Sequence, residues 1–208
     1  WSSEIIYFLN QQRSLLALQK AEKMKKQAFA DRYPYGIFSC IRTMGHIYKS
    51  RGNFDLSAQY YQEALDYMLK NMPDQDPSQL YSNLAEYYRN TQKDYATALD
   101  YCEKALKSAK TERNIAQAMI EKCLILFRQG RIDEFNDCYK EAVQMADRCK
   151  LSANVSLLIA HISKNILDKQ YEQAHAHADQ LSEKGLRQHA YIYEYAKDLS
   201  LIHISEPT

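Results

Sequence analysis

The stretch that decides the fold is GHIYKSRGNFDLSAQYYQEAL, residues Gly45–Leu65. Small and apolar residues recur three and four positions apart on both sides of Gly52, which predicts a helix, a short turn and a second helix. Gly52 lies in the turn, where a positive φ costs glycine little. Gly45 lies inside the first helix, where a missing side chain lets another helix approach closely and leaves space for Tyr48 and Tyr61. The stretch therefore predicts two tightly packed antiparallel helices.

The same pattern recurs at a nearly constant period. The position that Gly45 has in the first helix recurs at Ala85, Cys123 and Ile162. The spacings between these residues are 40, 38 and 39. Corresponding positions of the second helix hold Ala64, Ala105, Ala142 and Leu181. The turn has Gly130 in the third copy, and Gln92 and Lys93, with one extra residue, in the second. A fixed period in this range predicts a solenoid of helical hairpins.

The composition favours helix nearly throughout. The 208 residues include only 5 Gly and 4 Pro, so helix breakers are rare. Hydrophobic residues make up 46% of the chain, enough to build a core. The 17 tyrosines suit half-buried helix faces, because each buries a ring and keeps its hydroxyl in water. The five cysteines form no C-x-x-C pair, which favours reduced thiols and a cytoplasmic location.

Several classes of function are excluded by what the chain lacks. The net charge is +1, and no basic stripe suggests binding of nucleic acid by this segment. No apolar run approaches the length of a membrane span. His175 and His177 lie two residues apart and would point to different sides of a helix, so no metal site is predicted. No catalytic triad pattern or phosphate loop is present, so we expect neither an enzyme nor a cofactor.

The repeat resembles the tetratricopeptide repeat. That family has a small residue in the middle of the first helix, an aromatic residue three positions later, a turn, and then small, aromatic and small residues along the second helix. One copy matches at Gly45, Tyr48, Ser57, Tyr61 and Ala64, and the next at Ala85, Tyr88, Ala98, Cys102 and Ala105. The third copy departs at Phe135, where the family prefers a small residue, and the fourth has Ile162 and Asn165 at first-helix positions. The copies are also longer than the family norm of about 34 residues.

The resemblance implies an all-α, right-handed superhelical solenoid of about five antiparallel helix hairpins over residues 1–198. The hairpins are expected over roughly 1–31, 35–72, 77–110, 114–149 and 153–184, with a partial helix over 186–198. Residues 199–208, LSLIHISEPT, resemble translated sequencing-adapter sequence and are interpreted as a non-native tail. The natural protein is then expected to continue beyond the repeats.

Stacked hairpins of this family form a concave groove, lined by the first helices, that binds a protein or peptide. By the resemblance, the groove-facing positions are Arg42, His46, Lys49, Ser82, Asn83, Glu86, Arg89, Asn90, Gln117 and Glu121. Their mixed charge favours an internal peptide or a protein helix as the partner. The apolar residues in the same register are either groove or core: Ile120, Leu124, Phe127 and Ile159.

A terminal carboxylate is not the expected ligand. Chaperone-binding members of the family hold this group with Lys, Asn and Arg side chains on successive first helices. Here those positions hold Arg42 and His46, then Asn83, then Gln117 and Glu121. Because Glu121 would repel a carboxylate, the sequence predicts a scaffold that lacks the chaperone clamp.

Two other functions are left open. Long, tyrosine-rich repeats also resemble the sensory segments of bacterial regulators, such as two-component sensor kinases and transcription factors. The effector domain would then lie outside this chain, and a periplasmic location would be allowed. Truncated repeats that expose apolar ends would instead allow a self-associating structural array. The sequence leaves the oligomeric state open.

Overall fold

The computed structural model describes residues 5, 7–8, 13–151 and 154–183, with residues 181–183 described by their backbone alone. Within these residues the protein is all-α and contains no strand, which confirms the predicted fold class. The superhelical path stays a prediction. The predicted helix over 186–198 and the tail over 199–208 lie outside the described residues, as does most of the first part of hairpin 1–31.

The chain forms two compact units that divide after Lys110. Unit 1 contains α1 (Ser14–Ala30), α2 (Pro34–Ser50), α3 (Phe54–Asn71), α4 (Ser78–Tyr87) and α5 (Tyr95–Ser108). Unit 2 contains α6 (Glu112–Arg128), α7 (Ile132–Arg148), α8 (Val155–Leu167) and α9 (Tyr171–Glu183). Each helix of unit 1 packs against the next, whereas in unit 2 α6 packs against both α7 and α8, and α8 packs against α9. The single repeat domain over 1–198, with its hairpin limits, stays a prediction.

Capping residues and left-handed residues set the helix boundaries. The side chains of Asn53 and Asp94 begin α3 and α5 by accepting hydrogen bonds from backbone N–H groups three residues later, at 3.2 and 3.1 Å. Gly52 and Gly130 adopt φ values of 75° and 71° in their turns, as the sequence predicts. These positive φ values explain why glycine occupies both turns.

The extra residue in the second copy of the repeat lies in its first helix rather than in its turn. Residues Tyr88–Gln92 form a π-helix that directly continues α4. One inserted residue widens a single helical turn in this way and leaves the flanking helix intact. Lys93 follows with a φ of 54° and takes the left-handed position that Gly52 has in the first copy of the repeat.

The core of unit 1 depends on the close approach of α2 and α3 at Gly45. The ring of Tyr61, which is 2% exposed, occupies the space that a side chain would need. A Cβ atom on Gly45 would lie 2.6 Å from Cε1 of this ring. The hydroxyl of Ser57 donates to the carbonyl of Gly45 at 2.9 Å, which fixes the same crossing point with a hydrogen bond.

The core of unit 2 is centred on Phe135, which is 0% exposed. Its ring centroid lies 5.6 Å from that of Phe127 on α6 and 5.7 Å from that of Tyr139 on α7. The apolar positions that the sequence left open between groove and core are mostly core, since the buried residues include Ile120, Leu124 and Ile159.

None of the helices in the described part of the chain combines the length and the apolar character that crossing a membrane would require.

Candidate functional site

Four of the ten predicted groove residues lie close together in unit 1. Arg42, His46 and Lys49 are spaced four and three residues apart on α2, so they share one face of this helix. Nζ of Lys49 lies 2.5 Å from Oε2 of Glu86 on α4, which joins the first helices of two consecutive hairpins. We refer to Arg42, His46, Lys49 and Glu86 as the α2–α4 surface.

Three further predicted residues surround Glu86 in sequence. Ser82 and Asn83 precede it by four and three residues on α4, and both are half-buried. This spacing places them on the same side of the helix as Glu86. Asn90 is exposed at the end of the same helical segment and accepts a hydrogen bond from Nη1 of Arg89 at 2.7 Å.

The structure removes two of the predicted groove residues from solvent. Arg89 is 5% exposed and lies inside the π-helix, and Glu121 on α6 is 4% exposed. Gln117, which precedes Glu121 by one turn in unit 2, is half-buried. Neither Arg89 nor Glu121 can contact a ligand at the surface in this conformation. The groove that the sequence predicts from all ten residues stays a prediction.

Tyr61 orients the imidazole of His46 from below the surface. A 2.9 Å hydrogen bond joins the Tyr61 hydroxyl to Nδ1 of His46, and the two rings meet edge to face at 5.3 Å. Burial raises the pKa of the Tyr61 phenol, which therefore stays protonated. The sequence identified Tyr61 only as a packing residue, whereas the structure shows that it also positions a surface histidine.

The charge state of His46 is set by its surroundings. His46 is exposed as a residue, but surrounding protein removes part of the hydration of its ring and lowers its pKa to about 4. The positive charges of Arg42 and Lys49 act in the same direction, and the carboxylate of Glu86 opposes them. His46 is consequently a neutral hydrogen-bonding group at physiological pH.

The low pKa of His46 predicts acid sensitivity. The imidazole binds a proton with its ordinary pKa of 6.5 in the unfolded chain but only near pH 4 in the folded one. The free energy of unfolding should therefore be unaffected by this group above pH 6.5, fall as the pH drops from 6.5 towards 4, and level off below. Urea unfolding at a series of pH values should show a shallower decline for His46→Gln. Parallel curves for the two proteins would contradict the assignment.

The structure also contains a cleft that the sequence did not predict. It lies between α3 and α4, has a volume of about 350 Å³, and is lined in part by Asp55, Gln59 and Tyr88. The hydroxyl of Tyr87 donates to Oδ1 of Asp55 at 2.7 Å and accepts from Nε2 of Gln92 at 2.6 Å. The adjacent tyrosines beside the inserted residue were the only sequence signal for this cleft. Among the described residues, no group of His, Cys, Asp or Glu side chains is arranged to hold a metal ion.

The comparison with known families identifies the repeat. Residues 37–111 match the family model described as Tetratricopeptide repeat, whereas no curated protein matches the chain. Repeats of this family build helical scaffolds that often mediate protein interactions and typically carry no catalytic activity. The matched residues run from the first turn of α2 to the residue that follows unit 1, and they include the two copies in which the sequence pattern is most complete. Residues 37–111 of the chain therefore belong to the tetratricopeptide-repeat family.

Proposed function

We propose that the α2–α4 surface binds an internal segment of another polypeptide. The observation that carries this proposal is the ion pair between Lys49 and Glu86, which connects the first helices of two consecutive hairpins. The side chains are 28% and 21% exposed, so a ligand can reach both charges, while much of each side chain is held in place by its surroundings. Partial burial lowers the effective dielectric constant around the two charges, so each interacts more strongly with a ligand than a fully hydrated charge would.

The surface offers hydrogen-bond donors and acceptors side by side. Arg42 is half-buried, and its guanidinium carries N–H donors and no acceptor. Its guanidinium carbon lies 5.2 Å from the centroid of the Phe38 ring, which holds the planar group against α2. Ser82 and Asn83 add groups that both donate and accept. A polypeptide backbone presents the same mixture of N–H and C=O groups, so this arrangement favours a peptide over a purely anionic ligand.

An internal segment fits this surface better than a chain terminus. The charge of Lys49 is already matched by Glu86 at 2.5 Å, so a terminal carboxylate would have to displace a carboxylate of the protein. Its repulsion from Glu86 opposes that exchange. We therefore expect amidation of a peptide's C-terminus to leave its affinity unchanged.

A displayed library of random peptides tests the proposal. Peptides selected on the wild-type protein should bind the doubly exchanged variant Lys49→Glu/Glu86→Lys at least about tenfold more weakly, which corresponds to about 1.4 kcal/mol. The exchange keeps the net charge and the ion pair but reverses the positions of the two charges. Affinities of synthetic versions, with free and amidated C-termini, can be measured by isothermal titration calorimetry.

A matched control exchanges a second ion pair outside the surface. Lys104 and Asp100 lie four residues apart on α5 with their charges 2.6 Å apart. Asp100→Lys/Lys104→Asp should leave binding of the selected peptides intact. Equal binding to wild type and to the Lys49/Glu86 exchange, or failure of the library to yield any peptide, would contradict the proposal.

A further inference from the structure

Two cysteines face each other across the first hairpin of unit 2. Sγ of Cys123 on α6 donates a hydrogen bond to Sγ of Cys138 on α7, and the sulfur atoms are 2.9 Å apart. Both residues are reduced thiols. A disulfide requires a sulfur–sulfur distance of about 2.05 Å, so bond formation needs an approach of less than about 1 Å.

The repeat explains why these thiols meet. Cys123 occupies the position that Gly45 and Ala85 hold in the two hairpins of unit 1, where the helices of a pair approach most closely. At Gly45 a facing tyrosine occupies the available space, as its contact with Tyr61 shows. A cysteine at the same position places its sulfur directly against the neighbouring helix, and Cys138 is the residue that meets it.

The two thiols have different surroundings. Cys123 is 0% exposed, whereas Cys138 is half-buried and can be reached from solvent. The hydrogen bond from Cys123 lowers the pKa of the Cys138 thiol, with Lys122 acting in the same direction, while partial burial and Glu141 oppose the shift. Because the thiolate is the reactive form of cysteine, Cys138 is the group that an oxidant meets first.

We propose that Cys123 and Cys138 form a site of oxidative modification, at which hydrogen peroxide converts the two thiols into an intrachain disulfide. The Cys138 thiolate attacks one peroxide oxygen, the O–O bond breaks, hydroxide leaves, and a sulfenic acid forms on Cys138. Sγ of Cys123 then attacks the sulfur of Cys138, the S–O bond breaks, and the departing hydroxyl takes the Cys123 proton to leave as water. Together the two thiols lose two electrons and two protons, and one peroxide is reduced to two molecules of water.

Peptide mapping of the full chain tests this site. After treatment with hydrogen peroxide, the protein should lose two of its five titratable thiols and remain a monomer on a non-reducing gel. Mass spectrometry should find the peptide that contains Cys123 linked to the peptide that contains Cys138. Dithiothreitol should restore all five thiols. This measurement uses the wild-type chain and does not depend on the folding of any variant.

Single substitutions provide matched controls. Cys149 is also half-buried and directly follows α7, so Cys149→Ser should still lose two thiols to the same linked peptides. Cys123→Ser should instead accumulate a sulfenic acid on Cys138 that dimedone traps, because the second thiol is absent. Oxidation of other cysteines while Cys123 and Cys138 stay reduced, or linkage between two molecules, would overturn the proposal.

Discussion

Replacing Phe135 with alanine should destabilise unit 2 by about 3–5 kcal/mol. The family pattern favours a small residue at this position, so Phe135→Ala brings the sequence closer to the family. On the basis of the pattern alone, the substitution would be expected to stabilise the protein. The structure predicts the opposite, because the ring is 0% exposed and packs between Phe127 and Tyr139. Truncation would leave a cavity where α6 and α7 meet, and helices held by many other contacts collapse into such a space only partly.

The measurement is urea-induced unfolding followed by far-UV circular dichroism. Phe29→Ala is the matched control, because this residue lies on α1 and is 52% exposed. It should change the free energy of unfolding by only about 0.5 kcal/mol. Hydrogen exchange should also locate the loss, with faster exchange at the amides of α6 and α7. Equal effects of the two substitutions would mean that Phe135 does not form the core of unit 2.

The fold could be predicted from the sequence because close helix packing imposes a local rule. Two helices approach closely only where one of them carries a small residue, so Gly45 and Ala85 recur at the period of the hairpin. The turn glycines follow from a second local rule, since Gly52 and Gly130 adopt positive φ values. Both rules depend on single residues and their immediate neighbours, which makes them visible in a sequence.

The candidate site was less predictable because it depends on which direction each side chain points. Arg89 occupies a groove position by family register, but it lies within the wider turn of the π-helix, which alters the direction of its side chain, and it is buried. The sequence showed the extra residue but did not locate it in the helix. Glu121 lies on α6, where buried residues occupy most of the helix circumference, including its neighbours Ile120 and Leu124. On such a helix, a polar residue at a predicted groove position can therefore be buried rather than exposed to solvent.

Substitution of Gly45 by leucine should reduce the free energy of unfolding by about 3 kcal/mol, the upper part of the range for overpacked cores. Even the first added atom would lie 2.6 and 2.7 Å from two carbons of the Tyr61 ring. This ring cannot easily move away, because it is buried and its hydroxyl is hydrogen-bonded to His46. The larger side chain must therefore separate α2 from α3, which also stretches the hydrogen bond from Ser57 to the carbonyl of Gly45.

Two alanine substitutions distinguish this steric effect from helix propensity. A Cβ atom on Gly36 would lie 2.4 Å from the ring of Tyr33, which is 52% exposed and can rotate outwards, and 3.1 Å from Cβ of the buried Ala28. Because the Tyr33 ring can turn away and Ala28 needs only a small shift, Gly36→Ala should lose less stability than Gly45→Ala, and the higher helix propensity of alanine, worth up to about 1 kcal/mol, offsets part of that loss. Gly45→Ala receives the same gain and should still lose stability, because overpacking costs about 1–3 kcal/mol. If urea unfolding shows both alanine variants to be equally stable, the tight contact between Gly45 and Tyr61 does not determine how α2 and α3 pack.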